Sequence, residues 1–126
     1  MRRIGKRDRG QVAIEYIGFV PILLFVGLAG IQLGYVAYAY EQAGTAARAA
    51  ARTEARLGHG GDAAGHAAVS DFMSGRLTLS PSGGGGSDAV GFTATITIPV
   101  ILPLFSPDPA TRSATMPNDD PEVSGP

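Results

Sequence analysis

The longest uninterrupted pattern in the chain runs from Tyr16 to Tyr40, 25 consecutive positions without a charge, among which Gln32 is the only strongly polar side chain. At about 1.5 Å per residue, a helix over that run reaches about 37 Å. That exceeds the roughly 30 Å hydrocarbon core of a bilayer and predicts a membrane-spanning helix. From Glu41 to Leu57 the pattern changes to alanine punctuated by Arg48, Arg52, Glu54 and Arg56. High helix propensity continues the same helix into water, and Gly58 supplies its stop. Taken from about Val12 to Leu57, the helix is expected to be about 69 Å long, half in lipid and half out. Pro21 lies inside it and is expected to bend or loosen it, because proline removes a backbone donor and crowds the preceding turn. Gly27, Gly30 and Gly34 place small residues on one side, at spacings that let helices approach closely, although glycine is also common in membrane helices at large.

Beyond Gly58 the pattern is weaker. His59 to Gly61 reads as a joint, and Asp62 to Ser74, with Ala63, Ala64, Ala67, Ala68, Phe72 and Met73, reads as a short second helix. Leu77 and Leu79 flank Thr78 in a short strand, and Ser82 to Ser87 is a glycine-rich loop. Val90 to Val100 is the clearest strand: Val90, Phe92, Ala94, Ile96, Ile98 and Val100 alternate with Thr93, Thr95 and Thr97, giving one apolar face and one wet face. Its partner is expected to be the Leu77–Leu79 segment or the projecting part of the long helix. From Ser106 onward, Pro, Asp, Ser and Asn dominate, which predicts a disordered tail over 106–126. The fold class is therefore α+β: a long N-terminal helix over 11–57, a small region of one short helix and one or two strands over 58–105, and the tail.

The formal net charge of −1 conceals an asymmetry. Five of the ten basic residues (Arg2, Arg3, Lys6, Arg7 and Arg9) and one of the eleven acidic ones precede Gly10, so the remainder carries −5. A basic flank before a span holds the N-terminus in the cytoplasm and exports the region beyond the span. The basic residues form a flank, not a patch on a fold, so nothing points to nucleic acid. The chain has no cysteine, hence no disulfide framework and no thiol for a lipid anchor. His59 and His66 near Asp62 lack the rigid, complete ligand set of a metal site and are expected to be solvated. No Gly-x-Ser-x-Gly elbow is present to shape a nucleophile, and the glycine-rich loop is not followed by Gly-Lys-Ser/Thr. An enzyme is not expected.

One ordered group of residues remains. A short basic leader, residues 1–9, ends at Gly10, followed by Gln11, Val12, Ala13, Ile14, Glu15 and Tyr16. A carboxylate at the edge of a span is costly and asks for a reason. Glycine before the apolar helix permits close backbone approach of an extended segment to a protease. Basic leader, Gly10, Gln11 onward, and Glu15-Tyr16 after a gap of four resemble the processing site of type IVb pilins and pseudopilins. With Arg-Gly-Gln-Val-Ala-Ile-Glu-Tyr over 9–16, the early Pro21 and the alanine-rich helix end, the chain resembles a TadE-like pseudopilin of the tight-adherence (Flp) pilus system.

The resemblance implies a minor pilin-like subunit, inserted in the membrane as a precursor and cut between Gly10 and Gln11 by a prepilin peptidase. It then joins other pilins or pseudopilins through an assembly platform and needs no cofactor. It also implies that Glu15 pairs with the new α-amino group of a neighbour, since an ammonium compensates a carboxylate that would otherwise be costly in an apolar bundle. Tyr16 would anchor at the headgroup boundary. Two alternatives stay open. Ala37-Tyr38-Ala39 satisfies the small-x-small rule for a conventional signal peptide cut after Ala39, although the apolar run is long for one. The third reading is an uncut single-span anchor bearing a small interaction region.

Overall fold

The computed structural model describes residues 4–83 and 88–118, and it has the α+β architecture that the pattern predicts. Helix α1, Ile4–Leu57, is 54 residues and about 81 Å long, and it runs through Pro21 without interruption. It stops where expected. Gly58 takes a left-handed φ of 75° and donates its N–H to the Glu54 carbonyl at 2.7 Å, closing the last turn in the manner glycine favours. Helices α2, Gly61–Ala67, and α3, Asp71–Ser74, come next, and then strands β1, Leu77–Ser82, β2, Ala89–Ile96, and β3, Ala110–Pro117. The strands form an antiparallel sheet in the order β1-β2-β3.

Exposure divides α1 into two parts. Every residue from Arg9 to Leu28 is exposed, and the first buried side chain is Gln32. Beyond it, Ala39, Ala43, Ala46, Ala47, Ala50, Ala51 and Ala55 form a buried stripe. Alanine here does more than favour helix. Without bulk beyond Cβ, it lets α2 and the sheet lie close to the α1 backbone. Helix α2 answers with Gly65, where a Cβ would collide with Leu79 and come within 3.1 Å of the Ala46 carbonyl. It answers also with Gly61, where a Cβ would come within 2.7 Å of the Ala50 carbonyl. The Gly61 N–H donates to Glu54 Oε2 at 2.9 Å, which fixes the start of α2 on the end of α1. From the sheet, Phe92, Ala94 and Ile96 on β2 and Leu77 on β1 complete the core, with Met73 from α3. Met73 and Ile96 are fully buried, each contributing about 1.5–3 kcal/mol of apolar burial. The outer face of the sheet is wet, with the Thr93 and Ser113 hydroxyls 2.8 Å apart.

The structure corrects four expectations. The helix does not begin at Gln11: residues 4–10 are already helical, so they and the apolar run share one rod. The segment Asp62–Ser74 is two helices, because an extended Ser70 breaks it (ψ 153°) and donates its N–H to Gln42 Oε1 at 3.0 Å. That break turns both Val69 and Met73 into the core. Strand β2 ends at Ile96, and Ile98 to Val100 leave the sheet, where Pro99 has no N–H to give to a ladder. Finally, residues 110–117, expected within a disordered tail, form the third strand. Ala110 pairs with Ile96 and Ala114 with Phe92, and Ala110, Ala114 and Met116 turn toward the helix. Arg112, on the same side, lays its guanidinium 5.1 Å from the Tyr40 ring centroid. Arg2 and Arg3 of the leader, Gly84, Gly85 and Gly86 of the glycine-rich loop, and the tail from 119 lie outside the described residues.

Candidate membrane and assembly surface

The residues that the sequence singles out lie on the bare part of α1. Gly10 and Gln11 are exposed and helical. Glu15 and Tyr16 share a face with Val12, Phe19, Ile22 and Leu23, the spacing of neighbours along a helix. Tyr16 is 64% and Phe19 55% exposed, and among the described residues no group lies within hydrogen-bonding or ion-pairing reach of Glu15. At about 100° per residue, the same stripe passes on through Leu23 and Gly27 to Gly30 and Gly34. A Cβ added to Gly27, Gly30 or Gly34 would meet nothing within 4 Å, so among the described residues nothing beyond their own helix turns fills the space beside these glycines.

The small C-terminal region packs on the other side. Gln32 comes two residues after Gly30 and therefore points about 160° away from it. It is 1% exposed and makes three hydrogen bonds to a loop nearly seventy residues distant. Its Nε2 donates to the Pro99 carbonyl at 3.0 Å, and its Oε1 accepts from the Ile101 N–H at 2.7 Å and the Leu102 N–H at 3.4 Å. The single polar side chain of the apolar run thus satisfies backbone groups that would be costly to leave unpaired. The sequence marks Gln32 as a lone amide inside an otherwise apolar helix, but that local signal does not point to its partners.

His66 is part-buried, not simply solvated. Its Nδ1 is 2.9 Å from the Asp62 carbonyl oxygen and its Nε2 is 3.3 Å from the Leu77 carbonyl oxygen, so the ring bridges α2 to β1. Among the described residues, no three His, Asp or Glu side chains cluster in a way that could hold a metal ion.

The bare, apolar part of α1 is long and apolar enough to cross a membrane, and none of its most apolar stretch is buried by the rest of the chain. Residues 10–52 match the family model of TadE-like proteins. No curated protein and no solved structure matches the chain. The matched segment begins at the glycine that precedes the apolar run and extends through most of the buried alanine stripe, and over these residues the chain is similar to TadE-like proteins.

Proposed function

We propose that the chain is a minor pilin-like subunit of a tight-adherence (Flp, type IVb) pilus, trimmed after Gly10 by a prepilin peptidase and delivered into a filament from the membrane. Its role is assembly, not catalysis. The N-terminus faces the cytoplasm, as the basic leader directs, and the small α+β head is exported. The observation that carries this reading is the open stripe from Glu15 to Gly34. Its carboxylate has no partner within the described chain, its glycines are bare, and the head sits on the opposite side of the rod, leaving the stripe free for a neighbouring helix. A new α-amino group at Gln11 of such a neighbour is the counter-charge Glu15 lacks. Because residues 4–10 are helical, cleavage requires this first part of α1 to unwind locally in the protease.

The signal-peptide alternative fits less well. A cut after Ala39 would remove Gln32 and Tyr35, which hold the 99–102 loop and Phe72, and would separate Ala39 from a core in which it is fully buried.

Intact-mass measurement of the protein from cells with an active prepilin peptidase tests the reading. The expected mature chain begins at Gln11, and Gly10→Ala retains the leader. A full-length wild-type chain, or one beginning at Tyr40, overturns it.

A further inference from the structure

The loop that follows β2 has a composition unlike any other loop among the described residues. Ile98 to Phe105 reads Ile-Pro-Val-Ile-Leu-Pro-Leu-Phe, eight apolar residues in succession, and no charge occurs between Asp88 and Asp108. Val100 is 53%, Leu104 88% and Phe105 42% exposed. In water such a cluster leaves apolar surface uncovered at a standing cost in free energy.

Its position explains the composition. Leu102 and Phe105 lie against Ala29, Gln32 and Leu33, the helix turns that terminate the bare apolar segment. If about 20 residues from Val12 cross the hydrocarbon, the crossing ends near Ile31, level with this loop. The aromatic side chains nearby suit a membrane boundary. Tyr35 packs on Phe72 at 6.0 Å between ring centroids, and the Arg76 guanidinium lies 4.9 Å from the Phe72 centroid.

The loop backbone is prepared for a place poor in water. Pro99 and Pro103 have no N–H to satisfy. The Pro99 carbonyl and the Ile101 and Leu102 N–H groups are taken by Gln32, and the Phe105 N–H donates to the Leu102 carbonyl at 3.0 Å. Irregular backbone at membrane depth is tolerated when its polar groups are met by protein in this way. The loop also lies off the Gly27–Gly34 stripe, so a neighbouring helix seated on those glycines leaves it uncovered.

We propose that Ile98–Phe105 is a membrane-seated wedge that lowers Val100, Leu104 and Phe105 into the lipid leaflet on the head's side. Its occupant is lipid, because its apolar surface continues directly from that of the helix. The proposal rests on the reading of α1 as spanning the membrane.

The absence of cysteine makes single-site labelling clean. Leu104→Cys, with Ile22→Cys as a span marker and Thr111→Cys as a head marker, is labelled with an environment-sensitive fluorophore in the full chain reconstituted in phosphatidylcholine/phosphatidylglycerol vesicles. The label at 104 is expected to shift to the blue, to be quenched by lipids carrying a nitroxide near the headgroup end of the acyl chain, and to lose quenching by iodide present on both sides. The label at 111 is expected to behave oppositely. A label at 104 that iodide quenches as strongly as the one at 111 overturns the wedge while leaving the span intact. Shielding of 104 from both quenchers overturns it too, since a second copy of the chain then covers the loop. Iodide quenching at 22 overturns the span and, with it, the wedge.

Discussion

Gln32 ties the bare half of the molecule to the folded half with one side chain. Replacing it by methionine, which keeps its length, leaves the Ile101 N–H and the Pro99 carbonyl without partners in an apolar setting, at a cost of about 1–3 kcal/mol for each buried group. Hydrogen exchange at the Ile101 amide should accelerate by about tenfold or more in Gln32→Met, since about 1.4 kcal/mol of lost protection is a factor of ten. Exchange in the middle of β2 should change far less. An unchanged Ile101 rate would show that the loop is held by its apolar side chains alone. Glu15 poses the converse case, a polar group whose partner, on the proposed function, lies outside its own chain. Glu15→Gln should be trimmed normally yet be depleted from sheared surface fibres; normal incorporation would remove the pairing and leave the cleavage reading untouched.

At the level of elements, the contact between α2 and α1 depends on missing atoms. A methyl group at Gly61 must share space with the Ala50 carbonyl, Glu54 Oε2 and the Phe92 ring, all within 2.9 Å. Gly61→Ala should therefore destabilise the head by about 1–3 kcal/mol, the range for overpacking, read as a lower unfolding midpoint in detergent. Gly30→Ala, where nothing lies within 4 Å, should leave that midpoint in place. The pattern of the chain disclosed the long helix and its stop at Gly58 because both depend on local chemistry, a charge-free run and a left-handed φ. It disclosed β2 because Phe92, Ala94 and Ile96 alternate with threonine. It did not disclose β3. Ala110 and Ala114 contrast weakly with their neighbours, Arg112 occupies the inward position between them, and Pro109 and Pro117 bracket the strand as they would a loop. What makes the strand is its register against Ile96 and Phe92, which no local window contains. The candidate stripe was legible for a similar reason to the helix, since Glu15, Gly27, Gly30 and Gly34 stand out within a uniform apolar background. The role of Gln32 was hidden because its partners, Pro99, Ile101 and Leu102, are remote in sequence.

For the molecule as a whole, the head is no appendage hung from the membrane helix. Its core is the alanine stripe of α1 closed by the sheet, so the sheet must be complete for the stripe to be covered. Ending the chain after Asp108 removes β3 and uncovers Phe92, Ala94 and Ile96 along one edge of β2. Such a chain should still insert in membranes but lose the protease resistance of residues 58–105; a resistant fragment of unchanged size would show that β3 is dispensable. The TadE-like match stops at 52, before α2 and all three strands, so most of the head lies outside the matched segment.

Because α1 is one rod from Ile4 to Leu57, its bare apolar part and the head share a single rotational phase. Inserting one residue between Leu28 and Gln32 would swing the head by about 100° around the axis and move it about 1.5 Å along it. In the proposed filament, the direction the head faces would thus be set by counting residues, as a key's teeth are set by their distance from the bow.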